Sequence, residues 1–321
     1  MRALVLKDHD TAPEIADIAR PDPATNEVRI RVVACGLNFA DLLMIKGTYQ
    51  DTPTPPFVPG MEVAGVIERC GAGVTGLAPG ARVAAFTGAG GLAEFVTCPA
   101  AHCLALPDAM TMDQAAAFQI AYGTSHLALD HKARLQPGET LLVLGAAGGV
   151  GLTAVEIGAQ MGARVVAVAR GADRLAIARA AGADVTLDSD NLDLRAACRD
   201  LGGVDVVYDA IGEPLSTPAL RSLNPEGRFL TIGFAGGKVP QFAGNLLLVK
   251  NISVLGLYWG GYLRFAPDVL TGSLRTLLDW FAAGRITPHV GAVLPFARGA
   301  EGLDLLRNRR ATGKVVIRLD T

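Results

Sequence analysis

A glycine-rich stretch near the middle of the chain, LLVLGAAGGVG at 141–151, has the residue types that bind a phosphate group. In this stretch a run of apolar residues is followed by glycines, and a helical pattern begins directly after them. Gly148 and Gly149 let the backbone approach a pyrophosphate, and the N-terminus of the following helix offers N–H groups and a positive dipole end. Ala146 replaces the first glycine of the strict G-x-G-x-x-G pattern. We expect a nucleotide-binding turn here, and the alternative is a plain strand-to-helix turn.

Two arginines after the next apolar run indicate which nucleotide would bind. A domain selective for NAD usually has Asp or Glu at the end of this second strand, where it binds the ribose hydroxyls. Here the run ends at Ala169, Arg170 follows it, and Arg174 lies in the first turn of the next predicted helix. Guanidinium groups can bind a 2′-phosphate, and each charge-assisted hydrogen bond contributes roughly 1.5–3 kcal/mol. We predict NADPH as the cofactor, unless both arginines are simply solvated surface residues.

The elements that must position these residues change character along the chain. Residues 1 to 110 contain short β-type runs separated by Pro and Gly, and a capping box at Thr111 begins a helix. From residue 140 the chain alternates between apolar strands and helices, which is typical of a doubly wound parallel sheet. The strands predicted there are 141–145, 164–169, 184–187, 204–210, 227–233 and 253–258. The fold class is therefore α/β.

Composition excludes several functional classes. The 321 residues are 50% apolar and carry a formal net charge of −2 without a block of like charges, which argues against nucleic acid as a main partner. The N-terminal segment lacks the apolar core of a signal peptide, and the apolar stretch 140–155 is too short to span a bilayer. We expect a cytoplasmic protein without a membrane partner. The five cysteines form no C-x-x-C pair, which favours reduced thiols over a disulfide framework.

Several motifs together resemble the quinone oxidoreductases, the zeta-crystallin-like branch of the medium-chain dehydrogenase/reductases. They occur in family order, as GLNFADLLMIKGTY (36–49), PFVPGMEVAGVI (56–67), GAAGGVG (145–151), IGFAGG (232–237), NISVLGLYWG (251–260) and RATGKVVI (310–317). The resemblance implies a GroES-like catalytic domain formed by both ends of the chain, a Rossmann domain inserted between them, and a cleft where nicotinamide meets substrate. The boundaries expected are 1–118 and 265–321 for the catalytic domain and 119–264 for the Rossmann domain.

The resemblance also assigns cofactor contacts by position. It implies that Gly148, Gly149 and Val150 contact the pyrophosphate, that Arg170, Arg174 and Ser189 surround the adenosine phosphate, and that Ile232, Gly233, Phe234 and Tyr258 border the nicotinamide. Two positions depart from the family. Ser189 stands where many relatives have Tyr or His, and Leu43 stands where several quinone reductases have a tyrosine that faces the cofactor.

The stretches that bind catalytic zinc in related alcohol dehydrogenases lack their ligands here. Asn38 replaces the cysteine of G-x-C-H-x-D, and Met61 replaces the histidine of G-H-E. Neither side chain is a zinc ligand, since zinc is held by Cys, His or carboxylate. We therefore expect no catalytic metal. Asp41 and Glu62 remain in these stretches, and we expect them to form hydrogen bonds to the backbone.

Without a Lewis acid, alkoxide charge is difficult to stabilise, so conjugated acceptors become the favoured substrates. Hydride addition to a quinone or enone leaves a delocalised anion that a few hydrogen-bond donors can stabilise. Asn38 and Tyr49 are the candidates, the amide to orient the substrate and the phenol to donate a hydrogen bond or proton. Alternatively, Asn38 only ties a loop together and Tyr49 only shapes the pocket.

The activity predicted from these features is NADPH-dependent reduction of a quinone or related conjugated carbonyl. Tyr49 also aligns with a tyrosine that looks catalytic in enoyl-thioester reductases, so reduction of a 2-enoyl-CoA or enone is the alternative enzyme activity. A third possibility is a structural or regulatory protein that binds NADPH with little turnover. The resemblance further implies a homodimer in which the apolar segment 251–260 pairs with its counterpart across a two-fold axis, and the alternative is a monomer in which a helix covers this edge.

Overall fold

The computed structural model describes residues 1–190 and 192–319, and the chain divides into two compact units. The first unit contains Met1–Ile120 together with the C-terminal segment that begins at Pro288. The second unit contains Ala121–Thr287. Each unit has its own β-sheet and its own hydrophobic core.

The strands are numbered in chain order. They are β1 Arg2–Val5, β2 Glu14–Asp17, β3 Glu27–Leu37, β4 Glu62–Cys70, β5 Arg82–Phe86, β6 Phe95–Pro99, β7 Cys103–Ala105, β8 Thr140–Leu144, β9 Arg164–Ala169, β10 Val185–Asp188, β11 Val204–Asp209, β12 Leu223–Thr231, β13 Ser253–Gly256, β14 Val290–Pro295 and β15 Lys314–Arg318.

The α-helices are numbered in the same way. They are α1 Phe39–Ile45, α2 Met112–Ala116, α3 Gln119–His126, α4 Gly149–Gln160, α5 Ala172–Ala180, α6 Leu194–Asp200, α7 Ser216–Ser222, α8 Gly244–Lys250, α9 Tyr262–Phe265, α10 Pro267–Ala282 and α11 Gly299–Arg307. A π-helical turn, Leu127–Lys132, continues α3, and short 3₁₀ turns occur at Ala100–His102, Trp259–Gly261 and Phe296–Arg298.

The first unit is built on a mostly antiparallel sheet with the strand order β14-β15-β3-β4-β5-β7, and β6 also pairs with β3. The long strand β3 alternates between partly exposed and buried residues over its first half, as expected when one face of a sheet packs on the core. Strand β15 pairs antiparallel with β3, so Val315 lies opposite Leu37. The C-terminal strand is thereby brought beside the junction of β3 and α1.

The second unit contains a parallel sheet whose order, within the described residues, is β10-β9-β8-β11-β12-β13. Its central strands are almost completely buried because helices cover both faces of such a sheet. From β8 the chain proceeds to β9 and β10 on one side, and then to β11, β12 and β13 on the other. The strand order therefore reverses between β8 and β11.

These observations confirm the predicted α/β class and the parallel sheet. They also confirm the capping box, because Thr111 Oγ1 accepts from Gln114 N at 3.3 Å and Gln114 Oε1 accepts from Thr111 N at 3.1 Å. The helix that follows is interrupted, since α2 ends at Ala116 and α3 begins at Gln119.

The second domain boundary differs from the expected one. The first unit resumes at Pro288, whereas the sequence predicts that it resumes at residue 265. The reason is α10, which belongs to the second unit. Ser273 Oγ of this helix lies 2.9 Å from His126 Nδ1. The rings of Trp280 and His126 pack edge to face, with their centroids 5.3 Å apart.

In the described part of the chain, no helix combines the length and the apolar character that a membrane span requires.

Candidate functional site

The glycine-rich turn connects β8 to α4 in the second unit. Gly145 has a left-handed backbone with φ +74°, and the N–H groups of Gly145 and Ala146 both donate to Val168 O at 3.0 Å. Gly148 is the N-cap of α4 with extended dihedrals, and its carbonyl accepts from Leu152 N at 2.9 Å. Because the first turn of a helix lacks intrahelical acceptors for its N–H groups, α4 begins with donors suited to an anion.

Gly151 shows why this turn requires glycine. A Cβ atom at this position would lie 2.1 Å from Gly145 O and 2.7 Å from Gly145 C. Helix α4 can therefore approach the backbone of the preceding turn only where residue 151 has no side chain. At Gly148 the corresponding Cβ would meet Gly145 O at 3.3 Å, a much milder contact.

The residues predicted to bind the adenosine phosphate lie after β9 and β10. Arg170 follows β9 with its side chain 63% exposed, and its Nε is 3.3 Å from Asp190 Oδ1. Ser189 follows β10, and its N–H donates to Ala169 O at 2.9 Å. Arg174 is half-buried in the first turn of α5. The structure thus brings the ends of β9 and β10 together, and it adds Asp190, which sequence reasoning missed.

The residues predicted to border the nicotinamide follow β12 and β13. The N–H groups of Ile232 and Gly233 donate to Asp209 O at 2.9 and 3.2 Å, which fixes this turn against the end of β11. Phe234 and Tyr258 are both half-buried. The Arg264 guanidinium lies 5.9 Å from the centre of the Tyr258 ring.

All these segments follow the carboxyl ends of strands in one parallel sheet. Open α/β sheets bind ligands at this edge, in the crevice where the strand order reverses. Thr231 Oγ1, at the end of β12, is a buried atom with no hydrogen-bond partner among the described residues. The glycine turn, the arginines on one side and this polar atom on the other fit an extended dinucleotide with its pyrophosphate at α4.

Asn38 lies between β3 and α1 in the first unit, where its amide contacts three groups. Its Oδ1 accepts from Lys314 Nζ at 2.7 Å, and its Nδ2 donates to Glu62 Oε1 at 3.0 Å and to Gly36 O at 3.3 Å. Both amide hydrogens are therefore used inside the unit. This arrangement matches the alternative in which Asn38 ties a loop together, and it leaves one lone pair of Oδ1 for a further contact.

Lys314 is the central residue of this cluster and was not singled out from the sequence. Besides Asn38, its Nζ donates to Leu37 O at 2.8 Å and to Glu62 Oε1 at 2.6 Å. The side chains of Lys314 and Glu62 are only 5% and 2% exposed. Glu62 Oε2 also accepts from Ile120 N at 3.0 Å, as expected for a carboxylate with a structural role.

This cluster does not fit a zinc ion. The stretches that supply zinc ligands in related dehydrogenases contribute Asn38 and Met61, which are poor zinc ligands. The one carboxylate oxygen that faces Asn38 already binds the Lys314 ammonium, so a fixed positive charge is present where a cation would be held. Among the described residues there is also no group of three or more His, Cys, Asp or Glu side chains arranged to hold a metal.

Asp41 fixes the neighbouring backbone. Its Oδ2 accepts from Asn38 N at 2.8 Å and its Oδ1 accepts from Gly60 N at 2.9 Å, as expected for a structural carboxyl. Burial raises the pKa of Asp41 to about 6, although the two backbone hydrogen bonds and the Lys314 ammonium lower it. The stretches around Asn38 and Met61 are thus held together by Asp41, through Gly60, as well as by Lys314.

Tyr49 lies in the turn after α1, four residues beyond its end, and is half-buried. Its carbonyl accepts from Thr52 N at 3.3 Å and from Thr52 Oγ1 at 2.6 Å, which orders the turn. Leu43, on α1, is also partly exposed. Helix α1 therefore connects the Asn38 cluster to the segment that carries Tyr49.

Comparison with known proteins identifies both units. A family model described as an alcohol dehydrogenase GroES-like domain matches residues 24–108, and one described as a zinc-binding dehydrogenase matches residues 149–282. The chain is 37% identical over 312 residues to the quinone oxidoreductase-like protein 2 of Bos taurus, covering 96% of this chain and 89% of the relative.

Solved structures agree with these matches. The quinone oxidoreductase of Thermus thermophilus, whose complex with NADPH is known, superposes with a TM-score of 0.88 at 37% identity, over 99% of this chain and all of the other. The CurK enoyl reductase superposes with a TM-score of 0.90 at 26% identity, covering 99% of each chain. The extent of these matches and the replaced zinc ligands show that the chain belongs to the zinc-free quinone oxidoreductase branch of the medium-chain dehydrogenase/reductases.

Proposed function

We propose that this protein reduces a quinone or a related conjugated carbonyl with NADPH. The observation that carries the proposal is the replacement of the zinc ligands by Asn38 and Met61, with the Asn38 amide held in a buried cluster by Glu62 and Lys314. With no ligand set for a Lewis acid, the substrate itself must delocalise the negative charge that develops during reduction. Quinones do this well, because the product anion is a phenolate.

Each unit has a separate task in this proposal. The turn at Gly148, Gly149 and Val150 binds the pyrophosphate through backbone N–H groups, and the segments at 232–234 and Tyr258 border the nicotinamide. NADPH, when bound, supplies the hydride. The phenol of Tyr49 donates a hydrogen bond or a proton to the substrate oxygen, while the cluster around Lys314 holds Asn38 and the start of α1 in place.

The test is the loss of nicotinamide absorbance when the purified protein meets NADPH and benzoquinone, phenanthrenequinone, a simple enone or crotonyl-CoA. We expect rapid turnover of the quinones. In Tyr49→Phe we expect kcat to fall by about tenfold. This loss is smaller than the roughly 10²–10⁴-fold contribution of a full proton donor, because the charge on the reduced quinone is delocalised. Turnover of crotonyl-CoA or the enone alone would instead indicate an enoyl reductase, a function carried by the structurally similar CurK protein. Tight NADPH binding without turnover of any acceptor would indicate a binding protein. An unchanged kcat in Tyr49→Phe would remove this residue from the mechanism.

Arg170 and Arg174 are proposed to select NADPH over NADH. The double variant Arg170→Ala/Arg174→Ala should lower the NADPH/NADH ratio of kcat/KM by about tenfold, the equivalent of one charge-assisted hydrogen bond at the lower end of its range. We expect the lower end because Arg170 is largely exposed and Asp190 competes for it. Arg179→Ala, a substitution of an exposed arginine later on α5, is the matched control. An unchanged ratio in the double variant would show that other residues bind the 2′-phosphate.

The protein is further proposed to form a homodimer through residues 251–260. Strand β13 is the last strand of its sheet in the described part of the chain, and such an edge favours pairing with another strand. Leu248 and Val249 on the preceding helix α8 are 77% and 74% exposed. Replacing both by aspartate should convert a dimer to a monomer in sedimentation experiments at micromolar concentration. A wild-type protein that sediments as a monomer would contradict the proposal.

A further inference from the structure

Two of the cysteines lie next to each other in the first unit. Cys98 is on β6 and Cys103 begins β7, and their Sγ atoms are 3.7 Å apart. Cys98 is 2% exposed within the core, whereas Cys103 is half-buried and packs against that core. Cys103 lies five positions after Cys98 in the sequence, so the C-x-x-C pattern that usually reveals paired cysteines is absent.

The contact is specific to this pair among the described cysteines. Cys70, also half-buried, has its Sγ 3.8 Å from Leu77 O, and Cys35 has its Sγ 4.0 Å from Gly36 O. At 3.7 Å the sulfurs of Cys98 and Cys103 are in van der Waals contact, so no other atom separates them. A disulfide requires a sulfur–sulfur distance of about 2.04 Å, so the two side chains must rotate to bring the sulfurs closer together.

The chain between the two cysteines keeps them close. It consists of Pro99 and the 3₁₀ turn Ala100–His102. Strand β6 is paired with β3, where Cys98 lies opposite Val28, and β7 is paired with β5, where Cys103 lies opposite Ala85. Both ends of the segment are thus anchored in the same sheet, and the thiols remain neighbours while the first unit is folded.

We infer that Cys98 and Cys103 form an oxidative modification site, converted by a hydroperoxide into an intramolecular disulfide. The more exposed Cys103 sulfur attacks a peroxide oxygen, so the O–O bond breaks and a sulfenic acid forms with release of one water. The Cys98 sulfur then attacks the Cys103 sulfur. The S–S bond forms, the S–O bond breaks, and the departing hydroxide takes the Cys98 proton as a second water. Hydrogen peroxide is reduced and the two thiols are oxidised, without any other reactant.

The test uses the full-length protein, treated with hydrogen peroxide and then alkylated with N-ethylmaleimide under denaturing conditions without reductant. We expect the intact mass to show two fewer adducts and the loss of two hydrogen atoms, and a peptide map to link Cys98 to Cys103. Dithiothreitol should restore both thiols. Cys70→Ser should behave as wild type, whereas Cys103→Ser should leave Cys98 available for alkylation.

Other products would overturn the inference. These are sulfinic acid on Cys103 with Cys98 still alkylated, a disulfide between two chains, and no change at peroxide concentrations that oxidise a free cysteine peptide. Cys103→Ser is the principal variant because its partly exposed site tolerates a hydroxyl. Circular dichroism of that variant establishes that it is folded, so that a missing disulfide is due to the missing sulfur.

Discussion

Replacing Lys314 by methionine is expected to lower the free energy of unfolding by about 3–5 kcal/mol, the cost of breaking a buried ion pair. Methionine keeps most of the length of the side chain but removes the ammonium group. Glu62 would then be a buried carboxylate whose donors among the described residues are the Asn38 amide and Ile120 N, and Leu37 O and Asn38 Oδ1 would lose the Lys314 ammonium as a donor. Chemical denaturation followed by circular dichroism measures the change.

A matched control distinguishes the effect of burying an ion pair from the effect of removing a lysine charge. Lys7 forms an ion pair of nearly the same length with Glu14, 2.7 Å, but both side chains are 65% exposed. Lys7→Met should therefore leave the free energy of unfolding nearly unchanged, because solvent screens an exposed ion pair. The double variant Lys314→Met/Glu62→Gln should be more stable than Lys314→Met alone, because it no longer buries an unpaired charge. A loss below 1 kcal/mol in Lys314→Met would show that the cluster is hydrated and that its ion pair contributes little.

Lys314 also illustrates what the sequence does not reveal. In the sequence it stands in a short closing strand, where a lysine is usually solvated, and its partners Asn38 and Glu62 lie 276 and 252 positions earlier. Only the antiparallel pairing of β15 with β3 brings them together. Cys98 and Cys103 are close in sequence, yet their contact depends on where the turn between them directs each side chain.

Local patterns predicted other features correctly. The buried strands of the second unit are continuous apolar runs, so β8, β9, β11 and β12 were located within a few residues by composition alone. The capping box at Thr111 depends on residues three positions apart and is equally visible in the sequence. The domain return was harder to predict, because α10 is an amphipathic helix whose apolar face could pack on either unit. Only the folded structure shows that α10 contacts His126 and therefore belongs to the second unit.

The glycine turn could be predicted only in part. Its motif is visible in the sequence, whereas the close approach of residue 151 to Gly145 is visible only in the structure. Gly151→Ala is expected to raise the Kd for NADPH by about a hundredfold or more, the equivalent of losing two charge-assisted hydrogen bonds. The added Cβ would lie 2.1 Å from Gly145 O, so the turn and the first turn of α4 must separate by more than an ångström. The N–H groups of Gly149 and Val150, which we propose bind the pyrophosphate, would then be displaced.

Gly158→Ala is the matched control for this substitution. It lies on the same helix, and its added Cβ would meet Leu141 Cδ2, the end of a flexible side chain, at 2.4 Å. Both variants place alanine in α4, so any general effect on helix propensity is shared, and only Gly151→Ala displaces the turn. Calorimetric titration with NADPH should therefore show weakened binding in Gly151→Ala and near-normal binding in Gly158→Ala, with circular dichroism to establish that each is folded. Equal affinity in the two variants would mean that the cofactor's pyrophosphate is not bound at the N-terminus of α4, and the assignment of the glycine turn would have to be abandoned.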